Sequence, residues 1–133
     1  MSGPLKVVCA DDDPDMVELI RIAVAGEPDF ELVATTGEAA ELMDLLREHH
    51  PDVVILDHRL STDTPGMPSR GVAASQTGLE LVEGARSAVP DATIVIFTGQ
   101  TGRQTAAINA GADAYVEKPA LADVWPAIRE VRA

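Results

Sequence analysis

Val53-Val54-Ile55-Leu56-Asp57 is the stretch on which the fold turns. Apolar residues, most of them β-branched, run straight into one carboxylate. A continuous apolar run this short reads as a strand covered on both faces, as in a parallel sheet. A side chain at its end then stands at the carboxyl edge, where open α/β sheets receive ligands. Thr93 to Phe97 (Thr-Ile-Val-Ile-Phe) is a second such run, closed by Thr98-Gly99.

Outward from this stretch, the chain alternates between two periods. Leu5 to Ala10 reads as the first strand, followed at once by Asp11-Asp12-Asp13. Asp13-Pro14 is a helix start, with Asp as N-cap and Pro at the first helical position. Met16, Leu19, Ile20, Ala23 and Val24 then recur on one helical face, and Gly26 and Pro28 end the helix. Phe30 to Thr35 reads as strand two. A second helix carries Ala39, Leu42, Met43 and Leu46 and stops before Pro51. Residues 58–77, rich in Ser, Thr, Pro and Gly, read as a long loop, and loops above about 12–15 residues are uncommon in compact domains and often functional. Helix three begins near Gly78, with Leu81, Val82, Ala85 and Val89 inward. Gln104 to Ala110 forms a short helix capped by Gly111. Ala114 to Glu117 is strand five, followed by Lys118-Pro119. The last helix carries Leu121, Val124, Trp125, Ile128 and Val131, with its start delayed or its axis kinked at Pro126.

Five strands alternating with five helices at short spacing imply parallel strands and right-handed crossovers. The predicted fold is an α/β, flavodoxin-like three-layer sandwich, its five-stranded parallel sheet in the order 2-1-3-4-5, with residues 1–133 as one domain.

Composition agrees with a folded domain and narrows its partners. Of 133 residues, 46% are hydrophobic but only 3% aromatic, so the core is aliphatic. The formal net charge is −12, which repels nucleic acid and anionic membrane; this segment is not expected to bind DNA directly. One cysteine, Cys9, excludes an internal disulfide and reads as a buried small hydrophobe. No apolar run approaches membrane-spanning length and no signal peptide is evident, so a soluble, cytoplasmic protein is expected.

Chemistry-bearing residues fall just past the strands: Asp11 and Asp12 after the first, Asp57 after the third, Thr98 after the fourth and Lys118 after the fifth. In a parallel sheet these ends share one edge, and strands one and three flank the topological switch point. At an effective dielectric near 20, carboxylate pairs about 4 Å apart repel by roughly 4 kcal/mol. Such a site raises its pKa values or takes up a cation, and oxygen-only ligands favour a hard one, Mg²⁺ above all. A cation, a lysine and a hydroxyl around one carboxylate suit phosphoryl transfer to that carboxylate.

The chain resembles the receiver domain of two-component response regulators over nearly its whole length. The resemblance rests on Val7-Val8-Cys9-Ala10-Asp11-Asp12-Asp13-Pro14, Val53-Val54-Ile55-Leu56-Asp57, Gly78-Leu79-Glu80-Leu81, Ile94-Val95-Ile96-Phe97-Thr98-Gly99 and Gly111-Ala112-Asp113-Ala114-Tyr115-Val116-Glu117-Lys118-Pro119. It implies that Asp57 is the phosphoacceptor, served by a sensor histidine kinase or histidine phosphotransfer protein. Asp11, Asp12, Asp57 and the backbone carbonyl of Arg59 would hold Mg²⁺, with Mn²⁺ as a substitute. Lys118 and Thr98 would bind the phosphoryl group, and Thr98 and Tyr115 would form the switch. The response would be read on the face made by helix four, strand five and helix five, by a C-terminal output domain, a downstream protein or a second copy of the chain. The domain would act as a switch, with only self-catalysed phosphoryl transfer and loss.

One departure stands out: Gly78 comes 21 positions after Asp57, much further than is usual in the family. Gly99 and Ala120 also differ from the common residues at their positions, without removing a reactive group. Two other classes fit less well. A haloacid-dehalogenase-like phosphatase wants Thr or Val where Asp15 stands, and Asp11-Asp12-Asp13 would repel the phosphate of a flavodoxin's flavin. The remaining alternative is a degenerate receiver that acts as a phosphorylation-independent interaction module.

Overall fold

The computed structural model describes residues 3–57, 74–99, 102, 104–118 and 120–132. In chain order it places β1 (Leu5–Ala10), α1 (Pro14–Ala25), β2 (Phe30–Thr36), α2 (Ala39–His49), β3 (Val53–Leu56), α3 (Ala74–Ala88), β4 (Thr93–Thr98), α4 (Gln104–Ala110), β5 (Ala114–Glu117), a 3-10 turn (Leu121–Asp123) and α5 (Val124–Arg132). The strands form one sheet in the order β2-β1-β3-β4-β5, every pairing parallel. The predicted α/β sandwich and strand order are those observed.

Alternation along the central strands builds a core on each side of the sheet. Val7, Cys9, Val53, Ile55, Val95 and Phe97 face α1 and α5, meeting Ile20, Val24, Trp125 and Ile128. Val8, Ala10, Val54, Leu56, Ile94 and Ile96 face the other way, onto Leu42, Leu46, Leu81, Val82, Ala85 and Ala107 of α2, α3 and α4. All of β3 and β4 is buried, which is why both read as unbroken apolar runs. Cys9 is fully buried and Trp125 nearly so, as expected for core side chains.

Helix termini follow their sequence signals, with one shift at the start of α3. The Asp13 carboxylate accepts the Asp15 N–H at 3.0 Å, so Asp13 caps α1 ahead of Pro14. Pro126 lies within the first turn of α5, where a missing N–H costs nothing; the 3-10 turn absorbs the delay in helix start. Helix α3 begins at Ala74, four residues before Gly78. The helix thus runs through this glycine, which costs about 1 kcal/mol in a helix interior. Leu19 and Val131, counted among the inward faces, are 52% and 41% exposed. The stripes that α1 and α5 bury are narrower than the apolar stripes they carry. The remainder of the predicted loop, residues 58–73, lies outside the described residues.

Candidate functional site

Asp11, Asp57 and Lys118 each sit one step beyond a strand, where the sheet's hydrogen bonding continues, while Thr98 is the last residue of β4 itself. Asp57 N–H donates to Ala10 O at 2.8 Å, Asp11 N–H to Thr36 O at 2.9 Å, and Lys118 N–H to Thr98 O at 2.7 Å. Three backbone bonds thus hold the first residues after β3, β1 and β5 in the ladder's frame, at one edge of the sheet.

The side chains converge there. Asp11, Asp12 and Asp57 each offer a carboxylate oxygen, and these oxygens lie within 4.8 Å of one another. Lys118 Nζ donates to Asp11 Oδ2 at 2.8 Å and to Asp57 Oδ2 at 3.2 Å. It also stands 5.8 Å from the centre of the Phe97 ring. The other oxygen of Asp11 accepts the Asp13 N–H at 2.9 Å, which orients the carboxylate toward the lysine. Asp11 and Asp57 are 3% and 6% exposed and Thr98 is fully buried, whereas Asp12 is exposed. The acidic group therefore has a buried floor and a solvent-facing rim.

Its electrostatics follow from one ammonium serving two buried carboxylates. Burial raises the Asp11 pKa above the ordinary carboxylate value and the nearby Asp57 charge adds to it, outweighing the hydrogen bond from Lys118. Burial pulls the Lys118 pKa down, but the Asp11 hydrogen bond and the Asp57 charge outweigh it, so Lys118 is held above its ordinary value and stays charged. The site carries unrelieved negative charge, and its donors are oxygens only. That set fits a hard divalent cation, which a thiolate- or imidazole-seeking metal would not match.

Among the remaining predicted residues, Tyr115 is half-buried in β5, opposite Ile96 in the β4 ladder. It packs against the core on the α2, α3 and α4 side of the sheet. With Gln104, Glu117, Lys118, Asp123 and Ala127 it lines an open groove between residues of α4 and α5. Arg59 lies outside the described residues, so the expected carbonyl ligand does too. The β2–α2 connection was not foreseen as part of the site. A Cβ on Gly37 would stand 3.4 Å from the Asp12 Cα and 3.5 Å from Asp11 O. The Thr36 hydroxyl accepts the Glu38 N–H at 3.0 Å and fixes that turn. A sequence signal for this turn was available in Thr36-Gly37.

Comparison with known proteins places this arrangement. The family model described as response regulator receiver domain matches residues 7–128. The chain belongs to the receiver domain family of two-component response regulators. It is 32% identical over 122 residues to a protein-glutamate methylesterase/protein-glutamine glutaminase of Nitrosospira multiformis, a match that covers 87% of this chain and 30% of that protein. It is 34% identical over 116 residues to a DNA-binding response regulator of Mycolicibacterium smegmatis, covering 86% and 44%. The chain thus spans half or less of these relatives' length. A LuxR-family two-component response regulator from Aurantimonas superposes with a TM-score of 0.77 at 29% identity, over 96% of this chain and 84% of that one. The response regulator domain of Thermotoga maritima CheB, at 16% identity, shares the fold, with a TM-score of 0.75 over 98% of each chain.

Proposed function

We propose that residues 1–133 form one receiver domain, with an insertion over residues 58–77, and that Asp57 is its phosphoacceptor. The donor is a phosphohistidine of a sensor kinase or of a histidine phosphotransfer protein. In the transfer an Asp57 oxygen forms a bond to phosphorus, the phosphorus–nitrogen bond breaks, and the histidine ring leaves and takes up a proton. The observation that carries this reading is the convergence of Asp11, Asp12 and Asp57 within 4.8 Å, with Lys118 Nζ hydrogen-bonded to the acceptor carboxylate.

Asp11, Asp12 and Asp57, with the Arg59 carbonyl, would hold Mg²⁺, for which Mn²⁺ could substitute. The bound cation supplies positive charge to the phosphoryl oxygens and offsets the repulsion among the carboxylates. Lys118 holds a phosphoryl oxygen from the opposite side. Thr98 donates its hydroxyl to another and is displaced toward it, and Tyr115 follows inward. The phosphoryl group thereby biases a two-state element on the α4, β5 and α5 face.

That face is read by an output domain, a downstream protein or a second copy of the chain. The relatives' names span methylesterase and DNA-binding regulators, so the domain's output is set by what it is joined to or meets. The domain works as a switch in the cytoplasm. Its charge of −12 leaves DNA contact to a partner segment. Among the described residues no helix is long and apolar enough to cross a membrane.

Intact mass spectrometry with acetyl phosphate tests the reading. Wild type gains one phosphoryl group only with Mg²⁺, and Asp57→Asn gains none. No gain in wild type under any condition would leave the domain as a phosphorylation-independent interaction module.

A further inference from the structure

At the end of the sheet opposite Asp57, one guanidinium gathers three segments. Arg86, in the last turn of α3, donates to Pro90 O at 2.8 Å and to Ala92 O at 2.8 Å, in the α3–β4 turn. It also donates to Gly111 O from Nε at 3.1 Å and from Nη2 at 2.8 Å. Nη2 further pairs with the Asp113 carboxylate at 2.5 Å. Asp113 is itself fixed, because the same oxygen accepts the Ile94 N–H at 2.8 Å and its own N–H donates to Ile94 O at 2.8 Å. Gly111 has φ +124, and a Cβ there would meet Arg86 Cβ and Cγ at 3.3 Å. The arginine stem therefore lies directly against the residue that ends α4.

Among the described residues, helix α4 is held chiefly by Ala107 and Ala110 against the core and by its C-terminal turn. It is seven residues long, with Ala107 its one buried residue. Its C-terminal end runs into Gly111-Ala112-Asp113, the segment Arg86 binds. Its N-terminal end is the one nearer in sequence to Thr98 and the acidic site, and a Cβ added at Gly99 or Gly102 would meet nothing within 4 Å. One end of this helix is tied by charge-assisted bonds and the other is lightly packed.

The geometry points to Arg86 as the positioning residue of α4: it pins the C-terminal end, so that a change at Thr98 swings the N-terminal end of the helix about that point instead of shifting or melting the whole helix. This rests on the proposed phosphoryl switch at Asp57 and adds to it the fixed point against which the switch works. The two readings part in the experiment below, because the clamp can be read without any phosphoryl group.

Residue-resolved amide exchange by NMR tests it, on wild type and Arg86→Gln, before and after treatment with acetyl phosphate and Mg²⁺, with Asp57 phosphorylation read in parallel by intact mass. In wild type, phosphorylation should change exchange at 104–107 at least tenfold while 109–113 stay within twofold. In Arg86→Gln, phosphorylation should proceed as in wild type. Exchange at 109–113 should then be raised at least tenfold in the untreated protein, and the phosphorylation-dependent change should spread along all of α4, with β1 and β3 unaltered. A purely stabilising ion pair would instead raise exchange throughout the domain in proportion. Unchanged protection at 109–113 in Arg86→Gln, a global rise, or equal phosphorylation effects at both ends of wild-type α4 would overturn the proposal. If Arg86→Gln does not fold, Arg86→Lys carries the same comparison, with three donors in place of the fork. Absence of phosphorylation in wild type would contradict the Asp57 reading, while the untreated comparison still decides the clamp.

Discussion

Removing the cation of the acidic site should destabilise the protein in a strongly pH-dependent way. Lys118 Nζ lies 2.8 Å from Asp11 Oδ2 and 3.2 Å from Asp57 Oδ2, and the two carboxylates are 3% and 6% exposed. At an effective dielectric of 20 these separations correspond to about 6 and about 5 kcal/mol of gross attraction. Desolvation of the ammonium offsets part of this, and breaking a buried pair typically costs about 3–5 kcal/mol net. A ceiling also applies, because the crowded site can take up a proton. Protonating a carboxylate of ordinary pKa at pH 7 costs about 4 kcal/mol, from 1.36 kcal/mol per pH unit. Lys118→Ala should therefore lose about 3–4 kcal/mol at pH 7 without divalent cation. The sign follows from linkage: with no ammonium, the Asp11 pKa, already raised by burial, loses the hydrogen bond that lowers it and rises further, so stability falls as pH rises through that window. At pH 5 the same ceiling is only about 1.5 kcal/mol, so the gap to wild type should shrink. Urea denaturation at both pH values, with and without Mg²⁺, measures it, and Mg²⁺ should stabilise the variant more than the wild type. A loss below about 0.5 kcal/mol at pH 7, or one that does not shrink in acid, would refute the argument.

Further outcomes follow from other parts of the molecule. Asp12 is exposed while its carboxylate completes the oxygen cluster; Asp12→Asn should weaken Mg²⁺ binding at least tenfold, about 1.4 kcal/mol, by calorimetric titration, and leave the urea midpoint nearly unchanged. His50 ends α2 in the left-handed region, at φ 46, where a side chain costs about 1 kcal/mol; His50→Gly should raise stability by about 0.5–1 kcal/mol in urea denaturation. Burial pushes the Cys9 thiol from 9.0 to about 12. The unfolded thiol ionises first, so between these values stability should fall with pH by up to about 1.4 kcal/mol per unit. That contribution should be missing in Cys9→Ala, and the native thiol should resist iodoacetamide at pH 8 while the urea-unfolded one reacts.

What was legible in the sequence, and what was not, divides along a physical line. Strands buried on both faces write themselves as apolar runs, so Val53–Leu56 and Thr93–Phe97 could be read as central strands. A side chain one step past such a strand has its position set by the ladder, which is why Asp11, Asp57 and Lys118 could be brought together on paper. The choice of Asp11 as the shorter lysine contact could not be read, because it depends on the Asp13 N–H holding the other oxygen. Periodicity overestimated burial at Leu19 and Val131, since it reports which face is apolar and not how wide a stripe the sheet covers. Reading the helix as opening at Gly78 placed the start of α3 four residues too late. Arg86 was missed altogether: its partners are mostly backbone carbonyls, and a carbonyl leaves no mark on residue identity. Arg129 was missed for another reason: its partners are carboxylates, Asp29 at 2.9 Å and Glu27, reached from α5 over the Phe30 ring from far away in the sequence.

The central claim is that the acidic cluster makes Asp57, and no neighbouring carboxylate, the phosphoacceptor. The most direct measurement is reductive trapping with borohydride after acetyl phosphate treatment in Mg²⁺, followed by peptide mapping of the homoserine that a reduced acyl phosphate leaves behind. The account predicts homoserine at position 57 alone, in proportion to the phosphoryl group gained. Homoserine at position 11 or 12, or a stable phosphoryl gain with none at position 57, would contradict it.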